Sequence, residues 1–236
     1  MASTTLPTRR LAGITVPDTP LIKSSIALAR EHLDDMSYNH IMRSFLFGFA
    51  AAEKIPPMAS RDTELHAVAA ILHDLAWASR GPRMEEFISK DKRFEVDGAE
   101  GARNFVKSEV GDGWDKHRLQ LLWDAIALHT TPSIGQFKEP EVAATGLGIV
   151  LDFLGPAGAP GMVPAVLVTQ EEWDAVRKEF SRTGFNEGVT KIMCGLCRSK
   201  PQTTFDNFVG EFGDMVEGYP DNGHWFRDNI LKANVE

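Results

Sequence analysis

The stretch A-I-L-H-D-L-A-W, from Ala70 to Trp77, decides how this chain folds. It places His73 and Asp74 side by side in an apolar run whose spacing is typical of an α-helix. Neutral imidazole and carboxylate groups are the usual protein ligands of divalent metal ions. The stretch therefore predicts a buried helix that carries part of a metal site.

One histidine upstream and one aspartate downstream extend this pair to four ligand-type side chains. His40 lies in S-Y-N-H-I-M-R-S, and Asp152 lies in the apolar string G-I-V-L-D-F-L-G. Adjacent residues of a helix point about 100° apart, so His73 and Asp74 reach one ion only if it lies beside their helix. The other ligands must then come from other helices, as in the interior sites of helical bundles. We predict that all four bind a divalent metal ion, for which zinc, iron(II) and manganese(II) are the candidates.

The rest of the chain has the pattern of further helices separated by glycine and proline. The 236 residues are 43% hydrophobic, which is enough for one substantial core. No strand-like alternation lasts long enough to predict a sheet. We predict an all-α, single-domain helical bundle over residues 19–236, including an aromatic C-terminal extension, after a flexible leader at 1–18. Helices are expected from about 19, over 37–53, from 62, and over 94–110, 119–130, 142–154 and 169–182.

The composition limits which binding partners and which cellular compartment we expect. The net charge of −8 argues against a broad nucleic-acid or anionic-membrane surface, and no apolar run approaches the roughly 20 residues that span a bilayer. The only cysteines, Cys194 and Cys197, cannot form a disulfide framework, and their C-G-L-C string has no second half for a structural zinc site. We expect a cytoplasmic protein with a small-molecule substrate, and homo-oligomerisation is left open.

The order H…HD…D resembles the HD-domain superfamily of metal-dependent hydrolases. Four strings are similar to its cyanamide-hydratase-like branch, which is common in fungi: SYNHIMRSFLFG, ILHDLAW, RFEVDGAEGARNFV and AIALHT. The resemblance covers about residues 20–155. It implies an HD-type bundle, one zinc ion, and hydration of a nitrile-type carbon, as in the conversion of cyanamide to urea. Two-metal members carry an additional histidine where this chain reads RFEVDGAEGA, so one metal is expected.

Three residues are candidates for moving protons. His129, in the AIALHT string, could orient or deprotonate the attacking water, or hydrogen-bond the developing anion. Glu95 could be a base, a partner of a ligand histidine, or a solvated carboxylate. Asp74 could relay a proton in addition to binding the metal. The expected reaction is attack of metal-activated water on an electrophilic carbon.

Five residues near these motifs are candidates for contacting the substrate: Arg43, Asn39, Phe47, Trp77 and Thr130. Arg43 lies one helical turn after His40, so it could bind an anionic group or brace the acidic ligands, and the brace is the expected role. Phe47 and Trp77 would supply core and pocket wall.

Three other functions remain alternatives. A phosphohydrolase of nucleotides or phosphate monoesters would need several lysines or arginines around the pocket. An HD-type iron oxygenase or lyase of specialised metabolism would need a redox-active metal. A degenerate, non-catalytic HD bundle could act as a binding module, although four ligand-type side chains in apolar helices argue against it.

Overall fold

The computed structural model describes residues 6–156, 167–220 and 230–233 and is mostly helical, as predicted. Short 3-10 helices include Leu75–Trp77, which directly follows the His-Asp pair, and Phe208–Met215. The α-helices of the described residues are α1 (Pro20–His32), α2 (Asp35–Ala52), α3 (Thr63–Leu72), α4 (Phe94–Val110), α5 (Lys116–Ala127), α6 (Pro132–Gly135), α7 (Pro140–Leu154), α8 (Gln170–Glu179) and α9 (Phe185–Ser199).

Side-chain caps determine where several helices begin. Asp34, Asp62 and Asp115 each accept a hydrogen bond from the backbone N–H three residues later, which satisfies a donor that the helix itself leaves free. Thr169 and Glu172 form the predicted capping box of α8. These caps place the starts of α2 and α5 two or three residues earlier than the apolar periodicity alone predicted.

Part of the predicted flexible leader is a β-hairpin. Strands β1 (Thr8–Leu11) and β2 (Ile14–Pro17) pair antiparallel across a two-residue turn at Ala12 and Gly13, both with positive φ. The expectation of no sheet was therefore wrong. Four-residue strands are too short for a clear alternation, and burial of the β2 side chains on the helices stabilises them. Residues 1–5 of the leader lie outside the described residues.

Helices α2 and α7 pack along each other more extensively than any other pair of elements. They run antiparallel, because Asp152 meets His40 while Gly148 lies against Ser44 and Gly48. A Cβ atom built on Gly148 would clash with the Ser44 carbonyl oxygen. Only glycine allows this approach, and it brings Asp152, one turn further along α7, within reach of α2.

The chain divides into two compact units. The first comprises residues 1–88 and 94–183, and the second comprises 89–93 and 184–236. The single domain predicted over 19–236 stays a prediction, since a compact unit is not by itself an independently folding domain. Within the described residues, no helix combines the length and the apolar character needed to cross a membrane. All residues of the candidate site belong to the first unit.

Candidate metal centre

His73 and Asp74 lie at a break between two helices rather than inside one. Helix α3 ends at Leu72, His73 keeps helical backbone angles, and Asp74 turns out of the helix with φ −104° and ψ 25°. The chain then continues as the 3-10 helix Leu75–Trp77. This break brings His73 Nε2 to 3.1 Å from Asp74 Oδ2, a contact that two successive positions of a regular helix would not favour.

Two histidines are oriented by the helix that each one follows. His73 Nδ1 lies 2.9 Å from the Ala70 carbonyl oxygen at the end of α3, and His129 Nδ1 lies 2.6 Å from the Ile126 carbonyl oxygen at the end of α5. Carbonyl groups in the last turn of a helix lack partners within the helix, so they accept these bonds. A carbonyl can only accept, so each Nδ1 carries a proton. In the neutral ring, Nε2 is then an acceptor that points away from the helix.

His40 is oriented by residues from distant parts of the chain. Its Nδ1 lies 2.6 Å from Asp152 Oδ2. Arg43 holds the same carboxylate with two bonds, from Nε to Oδ1 at 2.6 Å and from Nη2 to Oδ2 at 2.9 Å. The remaining end of the guanidinium donates from Nη1 to the Ser181 carbonyl oxygen at 2.6 Å. In proteins that bind metals, a carboxylate that accepts from one imidazole nitrogen fixes the tautomer and directs the other nitrogen toward the ion. In His40 that other nitrogen is Nε2.

The opposite ends of these histidine side chains converge in the interior. His40 Nε2 lies 3.3 Å from both His73 Nε2 and Asp74 Oδ2, and all three residues are fully buried. One ligand atom from each residue lies within 4.8 Å of the ligand atoms of the other two. His129 Nε2 approaches from a further side, 3.5 Å from Asp74 Oδ1. His40, His73 and Asp74 could therefore hold a metal ion.

The electrostatics of this group suit a cation. Burial alone would raise the pKa of Asp74, but the surrounding imidazoles, His73 foremost, hold that pKa well below its ordinary value. Burial lowers the pKa of His73 and so favours its neutral, metal-binding form. Burial would also lower the pKa of His40, but its contacts with Asp152 and Asp74 outweigh this effect and raise it. Imidazole Nε2 atoms lie 3.1–3.5 Å from the Asp74 oxygens, but none of these contacts within the described residues has the geometry of a hydrogen bond. Without a cation or an additional proton, this interior group would consist of acceptors that face one another.

Asp152, predicted as the fourth ligand, is not brought into this group. Both of its oxygens are bound by His40 and Arg43, and these contacts outweigh the effect of burial and lower its pKa. The sequence pattern predicted that Asp152 and His40 act at the same site, and the two side chains are in contact. The contact is to His40 Nδ1, whereas His40 faces the candidate metal position with Nε2. Arg43 takes the expected bracing role and is fully buried.

The other predicted site residues lie in different surroundings. Glu95 is buried at the start of α4, where its Oε1 accepts a hydrogen bond of 2.6 Å from Thr130 Oγ1. Phe47 is fully buried and stacks on Trp173 with ring centroids 4.5 Å apart, so it belongs to the core and not to a pocket wall. Asn39 is half-buried in α2, next to His40.

Trp77 lies directly beside the candidate ligands. Its ring is nearly parallel to that of His40, at 18° and a centroid distance of 5.8 Å. The side chain is buried, yet its Nε1–H has no acceptor among the described residues. A buried donor without a partner, close to buried acceptors without donors, indicates a place for a polar ligand.

Sequence reasoning missed the two helix-end carbonyls, at Ala70 and Ile126, that orient His73 and His129. A signal was present, because a histidine placed just after a helix can hydrogen-bond the carbonyls of its last turn. The break in α3 left no such signal, since the apolar run continues through it.

Comparison with protein-family models found no match, and comparison with curated proteins found none either. The resemblance to the cyanamide-hydratase-like branch therefore rests on the sequence motifs alone and stays a prediction. The geometry of the site has to support any functional argument.

Proposed function

We propose that this protein is a metal-dependent hydratase or hydrolase that binds one divalent cation, zinc in the simplest case, through His40, His73 and Asp74. The observation that carries the proposal is the buried convergence of two imidazole Nε2 atoms and an ionised carboxylate. Both Nδ1 atoms contact oxygen atoms outside this group, whereas both Nε2 atoms face Asp74 Oδ2, so the Nε2 atoms are the ones that could bind the ion. Three protein ligands with a position left for water are typical of catalytic rather than structural zinc sites.

The charges of the linked residues support a cation of this kind. Asp74 and Asp152 contribute two negative charges, and Arg43 contributes one positive charge, all in the interior. With neutral imidazoles the group carries a net negative charge, which a divalent cation would compensate at short range.

A divalent cation in such a site lowers the pKa of bound water to about 7, which supplies a nucleophile at neutral pH. We assign to His129 the exchange of a proton with the substrate or with its attacking water. Its ring is fixed through Nδ1, and its Nε2 lies 3.5 Å from Asp74 Oδ1. Glu95 supports this region by accepting a hydrogen bond from Thr130, the neighbour of His129.

Addition of water to an uncharged, nitrile-type carbon is the reaction that we favour. The sequence resemblance to the cyanamide-hydratase-like branch supports it, and so do the arginines near the motifs. Arg43 is bound to Asp152, Arg80 donates to the Arg30 carbonyl oxygen, and Arg83 pairs with Glu86. A phosphohydrolase would need such groups free for its substrate, so this alternative is less favoured.

The decisive experiment is elemental analysis of the purified protein, followed by a urea-release assay with cyanamide in the presence and absence of a chelator. We expect about one zinc per chain and chelator-sensitive urea formation. His73→Ala and Asp74→Asn should lose both the metal and the activity. His117→Ala, which removes an exposed histidine of α5, is the matched control and should retain both.

Each result bears on a different part of the proposal. Bound metal and turnover in His73→Ala and Asp74→Asn would refute the assigned ligands. Bound zinc without cyanamide turnover would support the metal site but refute cyanamide as a substrate. Iron would favour the oxygenase or lyase alternative, and manganese the phosphohydrolase. Failure to bind any of these metals would favour a binding module.

A further inference from the structure

An apolar cavity lies next to the candidate metal centre, within the first compact unit. Its volume is about 270 Å³. One wall is a stripe on α7 formed by Ala143, Gly146, Leu147 and Val150, which recur at the spacing of one helix face. These four residues are half-exposed, unlike their buried neighbours on the same helix.

The lining of this cavity is unsuited to a charged ligand. Of the described residues that line it, His129 is the only one with an ionisable side chain, and Gln136 adds an exposed amide. The remaining side chains are apolar, among them Ile55, Met58 and Leu128. An ionic ligand would lose its hydration here without gaining a partner of opposite charge.

His129 is common to the cavity and to the candidate metal centre. His129 is one of the residues that line the cavity, and its Nε2 lies 3.5 Å from Asp74 Oδ1. A ligand whose reactive end lies at His129 can therefore keep its remaining atoms in the apolar cavity. Sites that bind small molecules commonly combine an apolar body with a few converging polar groups in this way.

We propose that this cavity binds the apolar body of the substrate, an uncharged nitrile that carries an aliphatic or aromatic group. This inference rests on the proposed function, and it narrows the substrate class. Cyanamide has no carbon beyond the reacting one, so it would leave the cavity unfilled. In the reaction, the water oxygen bonds to the nitrile carbon, one C–N π bond breaks and one proton goes to the nitrogen, which gives the imidic acid. The second proton then moves from oxygen to nitrogen, the C=O double bond replaces the remaining C–N π bond, and the amide forms without any redox partner.

The test is a ligand-observed NMR titration of the protein, with and without added zinc, with linear nitriles from acetonitrile to hexanenitrile. Each added methylene should lower Kd by up to about fourfold until the cavity is full. Gly146→Leu should remove most of this gain, because a side chain at Gly146 enters open space on the cavity wall. Gly195→Leu places the same substitution on α9, where a Cβ atom also meets nothing, and should leave the series unchanged.

The binding series separates this inference from the proposed function. A dependence of Kd on chain length that Gly146→Leu abolishes supports the cavity, even if zinc or turnover is absent and the proposed function fails. A flat series in the unsubstituted protein would overturn the inference, even if cyanamide is hydrated. A steep series that Gly146→Leu does not change would also overturn it, because binding would then occur elsewhere. The same nitriles, supplied as substrates, should yield amides with KM falling in the order of the Kd values.

Discussion

The two sides of the candidate metal centre are held in different ways. His73 and His129 are each oriented by a carbonyl three residues earlier, at the end of their own helix. His40 is oriented by Asp152, 112 residues away, which in turn is held by Arg43. One side is therefore local and uses backbone atoms, whereas the other depends on the crossing of α2 and α7. A side-chain substitution can remove the support of His40 but cannot remove the carbonyls that orient His73 and His129.

The largest effect that this comparison predicts is a loss of stability when the brace is removed. Arg43→Met should lower the free energy of unfolding by about 3–5 kcal/mol, because it leaves the Asp152 carboxylate buried without its guanidinium partner. Urea denaturation in the presence of a chelator measures this directly. Arg30→Met removes an exposed ion pair with Asp35 and should change the stability by less than about 1 kcal/mol. Equal stability of the two variants would show that the brace contributes nothing.

A smaller effect is expected on metal affinity when only the orienting charge is changed. Asp152→Asn keeps the shape of the side chain but weakens the hold on His40 Nδ1, so zinc affinity should fall about 10- to 100-fold. Competition with a fluorescent chelator gives the affinity. The exposed Asp174→Asn on α8 serves as the control and should bind zinc like the unsubstituted protein. An Asp152→Asn variant that binds zinc at full affinity would contradict this prediction, because zinc binding would then not depend on how Asp152 orients His40.

The smallest effect concerns His66, a buried histidine outside the centre. Its Nδ1 accepts a hydrogen bond from Arg61 Nε at 3.0 Å, and its ring stacks on Phe49. Burial, assisted by the nearby Arg61 charge, holds the pKa of His66 well below its ordinary value. As the pH falls below about 6.5, His66 is protonated in the unfolded chain but not in the folded chain. The free energy of unfolding therefore declines by up to about 1.4 kcal/mol per pH unit.

The substitution His66→Gln isolates this contribution, because the amide oxygen can still accept from Arg61. Between pH 6.5 and 5, the stability of this variant in chelator should decrease less steeply with falling pH than that of the unsubstituted protein. His117→Gln, at an exposed position, should leave the pH profile unchanged. Identical slopes for His66→Gln and the unsubstituted protein would contradict the buried, neutral state of His66.

Local patterns in the sequence were sufficient for the helical class and for most helix positions, because periodicity, prolines and caps act within a few residues. The pattern also predicted that His40, His73 and Asp74 lie together, since buried imidazole and carboxylate groups need polar partners. The hairpin at residues 8–17 was not predicted, because its strands are short and are stabilised by burial against the helices.

The sequence by itself determined a mostly helical chain with a His-His-Asp group that could bind a metal. Only the tertiary structure decided that Asp152 contacts His40 at Nδ1 and that the Arg43 guanidinium binds the same carboxylate. It also decided that α3 ends before His73, and that an apolar cavity lies beside His129. The physical reason is distance along the chain. Caps and helix-end bonds span three or four residues, whereas the Asp152 contact requires two helices to approach at Gly148, over more than a hundred residues.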